Sequence, residues 1–224
     1  MVLVAMIVGW NTRTISAALD PEDIVSSAVL QGYYLGQLLI GALGVLFVSG
    51  EYSTGMIRST MSAVPRRTPV LIAKTIVFLT VTAVTIIPAC VIAFVSGQAI
   101  ISHTRTGYSL GDPGVLRLVL VTGFYLVCIG LVGGASNGWL VRNTPGALVS
   151  YFALVLVLPG IFGNVLGNWG KDIAQYFPSE AGRSFVSSLQ LPYTLTTWTG
   201  FTVLIAWVVI GLAASEFSLR QRDI

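Results

Sequence analysis

Five stretches of this sequence, residues 28–49, 70–97, 114–137, 145–167 and 199–217, are almost unbroken runs of apolar residues, and none carries a charged side chain near its middle. Crossing the hydrocarbon core of a bilayer takes about 20 residues of helix, so each run is long enough to span. In lipid the backbone polar groups must be satisfied within the segment, which for runs of this length selects the α-helix. Composition agrees. Only 9% of the 224 residues are charged, against about 25% in a soluble domain, and the mean hydropathy is +0.84. The expected fold is an all-α membrane bundle, a single transmembrane domain over residues 1–224.

A sixth crossing is incomplete. The opening MVLVAMIVGW, residues 1–10, is apolar but about half the required length. It has neither the basic n-region nor the small-residue cleavage site of a signal peptide. It reads as the outer half of a first span that begins further upstream; a short interfacial or tilted segment is the alternative. Six crossings place both termini of a full-length protein on one side of the membrane.

Charge sets the side. One group of connections holds seven basic residues, Arg58, Arg66, Arg67, Lys74, Arg142, Arg220 and Arg222, and the other holds five, Arg13, Arg105, Arg117, Lys171 and Arg183. The bias in Lys and Arg places the 50–69 loop, the 138–144 turn and the C-terminus in the cytoplasm. The positive excess is small and scattered, which points away from nucleic acid. The external connection 168–198 carries Trp169, Tyr176, Phe177, Tyr193 and Trp198, aromatics suited to the headgroup level. Short interfacial or re-entrant helices are expected there.

Within the spans, glycines recur at four-residue intervals: Gly32, Gly36 and Gly44; Gly130, Gly134 and Gly138; Gly163 and Gly167. Such rows let helix backbones approach closely in lipid and suggest a tight bundle and a packed dimer. Pro88 and Pro159 lie inside spans, where a missing N–H kinks a helix. Cys90 and Cys128 sit in apolar runs and read as small buried hydrophobes.

The chemistry that is missing narrows function. No carboxylate lies at depth in a span, whereas ion-coupled carriers generally bind their ion there, although backbone carbonyls can also hold sodium. No G-x-x-x-x-G-K-[ST] string is present to cradle nucleotide phosphates. The single histidine, His103, stands in a loop without a nucleophile–base constellation. These absences argue against an enzyme and against a metal or cofactor site in this chain.

The segment 51–74, EYSTGMIRSTMSAVPRRTPVLIAK, stands out. Glu51 follows directly on a span, Ser53 and Thr54 can cap a short helix, and Pro65 ends it. Read blandly, its basic residues fix topology and touch anionic lipid. Read sharply, it is a docking helix gripped by a cytoplasmic partner, with Glu51 and Arg58 as polar contacts.

The same segment resembles the signature of ATP-binding-cassette type-2 membrane permeases, the single-domain actinobacterial kind above all. That pattern runs E-Y-x-x-G-x-[IL]-R-x-[ST], then P-x-R, then A-K, matched by Glu51, Tyr52, Gly55, Ile57, Arg58, Thr60, Pro65, Arg67, Ala73 and Lys74. The preceding GQLLIGALGVLFVSG, the turn Arg142-Asn143-Thr144-Pro145-Gly146-Ala147 and the final Arg222-Asp223 are similar to other parts of the family, so the likeness extends from about residue 29 onward. A leading amphipathic helix and a full first span, usual in the family, are not seen.

The resemblance implies a six-helix bundle in the plasma membrane, with its first span incomplete. It implies two permease subunits, most simply a homodimer, and separate ATPase subunits that hold ATP and magnesium. It further implies that Glu51, Gly55, Arg58, Pro65 and Arg67 couple to the ATPase. Candidate pathway residues on the second and fifth spans are Gln31, Tyr34, Gln37, Tyr151, Phe152 and Asn164, with plain packing as their alternative role. An apolar, aromatic path would suit a lipophilic or amphipathic cargo such as a drug, antibiotic, peptide or lipid. An ion-coupled carrier and a non-transporting scaffold or sensor subunit are the other classes left open.

Overall fold

The computed structural model describes residues 32–57, 67–101, 111, 114–187 and 192–221. The opening segment 1–10, Gln31, Arg58, Pro65 and His103 lie outside them; Arg67 opens a helix, but its side chain is not described. The described chain is all-α, and five helices are long and apolar enough to cross a membrane. We number them with the short ones in chain order: α1 Tyr33–Ser53, α2 Arg67–Ile101, α3 Val115–Val141, α4 Thr144–Asn164, α5 Gly167–Ala174, α6 Pro178–Val186 and α7 Thr197–Gln221.

Outward faces are aliphatic. Leu35, Leu39, Leu43 and Leu46 on α1, Ile72, Ile76 and Leu79 on α2, and Val209, Ile210 and Phe217 on α7 are all exposed. In a membrane such faces meet acyl chains, so apolar exposure costs nothing there and association must come from close packing. α3 is the central element. Along one stretch, Tyr125 through Val132 are all buried, and α1, α2, α4, α6 and α7 each pack against it.

Glycine makes the α1–α3 crossing close. A Cβ built on Gly44 would lie 2.3 Å from the Gly130 carbonyl oxygen, and one on Gly133 would lie 2.5 Å from that of Gly41. Gly138 meets Val48 in the same seam. Gly44, Gly130, Gly134 and Gly138 of the first two rows are thus in close contact within one chain. The third pair is not a packing row. Gly163 only brushes Ala174, and Gly167 has φ +69° at the start of α5, where the chain turns back and a left-handed backbone is needed.

Two segments widen into π-helix, Val132–Gly138 within α3 and Ala153–Val157 within α4. The second has a covalent cause. Pro159 cannot donate to the Val155 carbonyl four residues back, and the Leu158 N–H bonds instead to the Ala153 carbonyl, five residues back. The expected kink at Pro159 is therefore taken up as a π-bulge. Pro88, in contrast, sits inside a helix that stays continuous from Arg67 to Ile101. In the α3 π segment, Asn137 donates to the Val132 carbonyl at 3.3 Å and accepts from Ser150 of α4 at 3.0 Å.

The connection after α4 forms the two short helices α5 and α6. They are fastened to the bundle rather than loosely attached. The Tyr125 ring lies over Gly182, the Ala181 carbonyl packs on Gly200 of α7, and Trp207 Nε1 donates to the Tyr176 carbonyl at 2.8 Å. Trp169, Tyr176, Tyr193 and Trp198 are exposed, while Phe177 is half-buried and packs on Phe162 at 5.5 Å.

Candidate functional site

Two polar constructions stand at opposite ends of the bundle, and α1 reaches both.

At one end, the approaches to the 58–66 segment are clamped together. Glu51 lies in the last turn of α1, because the helix continues past the boundary at 49 expected from hydropathy. A carboxylate there faces the negative end of the helix dipole, and Lys74 of α2 neutralises it in an ion pair whose side chains are 20% and 13% exposed. The Lys74 ammonium also stands 5.3 Å from the centre of the Trp139 ring, which is buried and meets Tyr52 edge-on at 6.0 Å. Arg142 sits over Tyr52 at 5.8 Å and donates to the Ser218 carbonyl of α7 at 3.0 Å. Thr68 of α2 donates to Glu216 of α7 at 3.3 Å. Beneath them Val48, Ile57, Val70, Leu71, Trp139 and Leu219 form a separate apolar cluster.

Local sequence explains this end. The Thr54 hydroxyl donates back to the Gly50 carbonyl at 3.0 Å, closing α1. Gly55 follows with φ +73° and open space around it, so the left-handed backbone, not crowding, calls for glycine. The turn returns Ile57 to the apolar cluster. Across the clamp, Arg142 ends α3 at φ +54° and Asn143 caps α4, accepting from the Gly146 N–H at 3.3 Å with Pro145 in the first turn.

At the other end a cavity of about 650 Å³, open on one side, lies between α1, α4 and the α5–α6 pair. One wall is apolar, made by Val155, Leu156, Pro159, Gly160 and Gly163 of α4. The facing wall is polar, made by Lys171, Gln175, Ser179, Glu180 and Arg183 of α5, α6 and the turn between them. Gln37 closes the inner side. It is 4% exposed; its amide oxygen accepts a short hydrogen bond from Tyr125, and its backbone carbonyl accepts from Tyr151 at 2.6 Å. Arg183 stands 3.6 Å from Glu180. Burial acts to lower its pKa, but Tyr34, Glu180 and Tyr33 beside it outweigh that and raise it above the ordinary value, so the guanidinium is always charged.

Of the residues expected along a path, Tyr34, Gln37 and Asn164 line this one cavity. Tyr151 and Phe152 do not; Tyr151 is buried beneath it as the prop of Gln37, and Phe152 packs on the Tyr151 ring at 5.5 Å. Glu51 and Gly55 stand at the clamp, with Glu51 turned onto Lys74. Sequence reading did not single out Lys171, Ser179 and Arg183 for the cavity, nor Trp139 for the clamp. More than 130 residues separate Gln37 from Lys171 in the sequence, and no spacing rule joins them.

Compared with known proteins, the chain matches no family model, and no curated protein sequence is significantly similar to it.

Proposed function

We propose that this chain is the transmembrane permease subunit of an ATP-binding-cassette exporter, moving a lipophilic or amphipathic molecule with energy from a separate ATPase. The observation that carries the reading is the continuity of α1. Gln37 faces the cavity and Glu51 is held in the clamp on the same unbroken helix, about 20 Å apart at 1.5 Å per residue. Any movement imposed on the segment between α1 and α2 reaches the cavity wall as a rigid tilt.

In this reading the clamp end is cytoplasmic and the segment 50–69 is the coupling element. Gly55, Arg58, Pro65 and Arg67 present it to the ATPase, while Glu51 anchors it on Lys74. The cavity end faces outward, capped by α5 and α6. A nucleotide-driven partner biases one of two arrangements of the bundle, as a switch of this kind requires, and no ion-binding acid at depth is needed. The described spans carry none, which favours this account over an ion-coupled carrier. A second permease subunit, most simply another copy of this chain, completes the transporter.

The test is co-expression with any ATP-binding-cassette ATPase that a neighbouring gene encodes, purification from membranes and ATP hydrolysis in nanodiscs. A stable complex is expected, with hydrolysis or assembly weakened by Glu51→Ala and Arg58→Ala. Failure of any ATPase to associate with the chain would remove the exporter reading.

A further inference from the structure

We infer that the cavity between α1, α4 and the α5–α6 pair is a binding site for a single-chain or drug-sized amphiphile with an anionic head, a phosphate, sulfate or carboxylate. The inference rests on the exporter reading for its meaning as cargo selection. As a binding site it stands on the cavity alone.

Three observations carry it. First, the two walls differ in kind: α4 offers a mainly hydrocarbon face that ends in Asn164, and the α5–α6 pair a mainly polar one, so an occupant is held by an apolar body on one side and a polar head on the other. Secondly, the polar wall is rich in donors. Lys171 and Arg183 supply two positive charges against the one negative charge of Glu180. Arg183 is ion-paired with Glu180 at 3.6 Å through one nitrogen, and a guanidinium has five N–H donors, so others remain for an acceptor. The Lys171 ammonium stands 5.4 Å from the centre of the Tyr193 ring, which lines the same cavity.

Thirdly, a buried group of the lining is left as a donor. The Ser179 hydroxyl, in a residue 7% exposed, has no hydrogen-bond partner among the described residues. A buried donor without an acceptor is costly, and an anionic oxygen would satisfy it. Size fixes the rest. About 650 Å³ is the middle of the range for small-molecule sites; it holds one alkyl chain with its head but not a whole two-chain lipid.

The experiment uses the intact chain in nanodiscs of zwitterionic lipid, with a dodecyl phosphate bearing a photoactivatable diazirine on its chain. We expect saturable labelling of the 155–164 region of α4, competed by unlabelled dodecyl phosphate but not by dodecyltrimethylammonium. Lys171→Gln and Arg183→Gln should each raise the half-saturating concentration about tenfold, the loss of one charge-assisted contact, and Lys171→Arg should restore it. Lys171 is exposed and its replacement should not disturb folding. Equal competition by the cation, or labelling unchanged in both Gln variants, would overturn the proposal. Replacing part of the nanodisc lipid with anionic phosphatidylglycerol should leave labelling unchanged; competition from it would assign the site to a membrane lipid headgroup instead. Binding that survives while no ATPase associates would sink the exporter reading and leave the site standing.

Discussion

Glu51 is the residue whose surroundings argue most directly for a worked joint. Alone, an acid in the last turn of a helix is unfavourable, and α1 accepts it because Lys74 and the neighbouring rings compensate. With exposures of 20% and 13%, the pair lies between the about 0–1 kcal/mol of a surface bridge and the about 3–5 kcal/mol lost when a buried one is broken. Glu51→Ala should therefore lower stability by about 2 kcal/mol, and adding Lys74→Met should recover part of that loss. A double-mutant cycle on thermal inactivation in detergent reads the coupling; additive single effects would mean that the pair contributes nothing. Gly55 acts through backbone alone. Because no neighbour crowds it, Gly55→Ala should cost about 1–2 kcal/mol from the left-handed conformation, visible as altered proteolysis between α1 and α2 with the bundle otherwise intact.

At the scale of elements, the α1–α3 seam and the α4 bulge have different jobs. The seam is backbone on backbone, so Gly44→Val must push the helices apart and should be among the most damaging single changes in the chain. Overpacking of a tight site costs about 1–3 kcal/mol or more, and a variant that purified and melted like the parent would contradict the close crossing. The bulge is local. Pro159→Ala supplies the N–H that the Val155 carbonyl lacks and should let residues 153–157 regularise, slowing amide exchange there while the bundle stays as stable. Unchanged exchange would show that packing against neighbouring helices, α6 among them, and not the proline, holds the π segment. Hydropathy located all five long helices to within a few residues, because lipid leaves one answer for an apolar run of that length. It ended α1 at 49, since a hydropathy reading cannot see that Lys74, from the next helix, lets Glu51 stay helical. The partners of Gly44 and Gly134 were hidden for a similar reason: a glycine row announces close approach but not to which helix.

As a whole molecule, the bundle has a clamp at one end and a cavity at the other, joined by α1. Tyr34, Gln37 and Asn164 were singled out in the sequence as polar groups on apolar helices, along with Tyr151 and Phe152, which do not line the cavity. Lys171, Ser179 and Arg183 were not, because the α5–α6 fold-back that brings them over α4 depends on tertiary contacts such as Tyr125 on Gly182 and Trp207 on the Tyr176 carbonyl. The account's central claim is that α1 carries motion between the two ends. The most direct measurement places spin labels on α1 near Gln37 and on α4 near Asn164, in the chain purified with its ATPase in nanodiscs. The distance between them is recorded with and without a trapped ATP analogue, for the parent and for Glu51→Ala. The account predicts a nucleotide-dependent change in the parent that is diminished in the variant. A distance that ignores nucleotide in the assembled complex, or a change of the same size without Glu51, would contradict it.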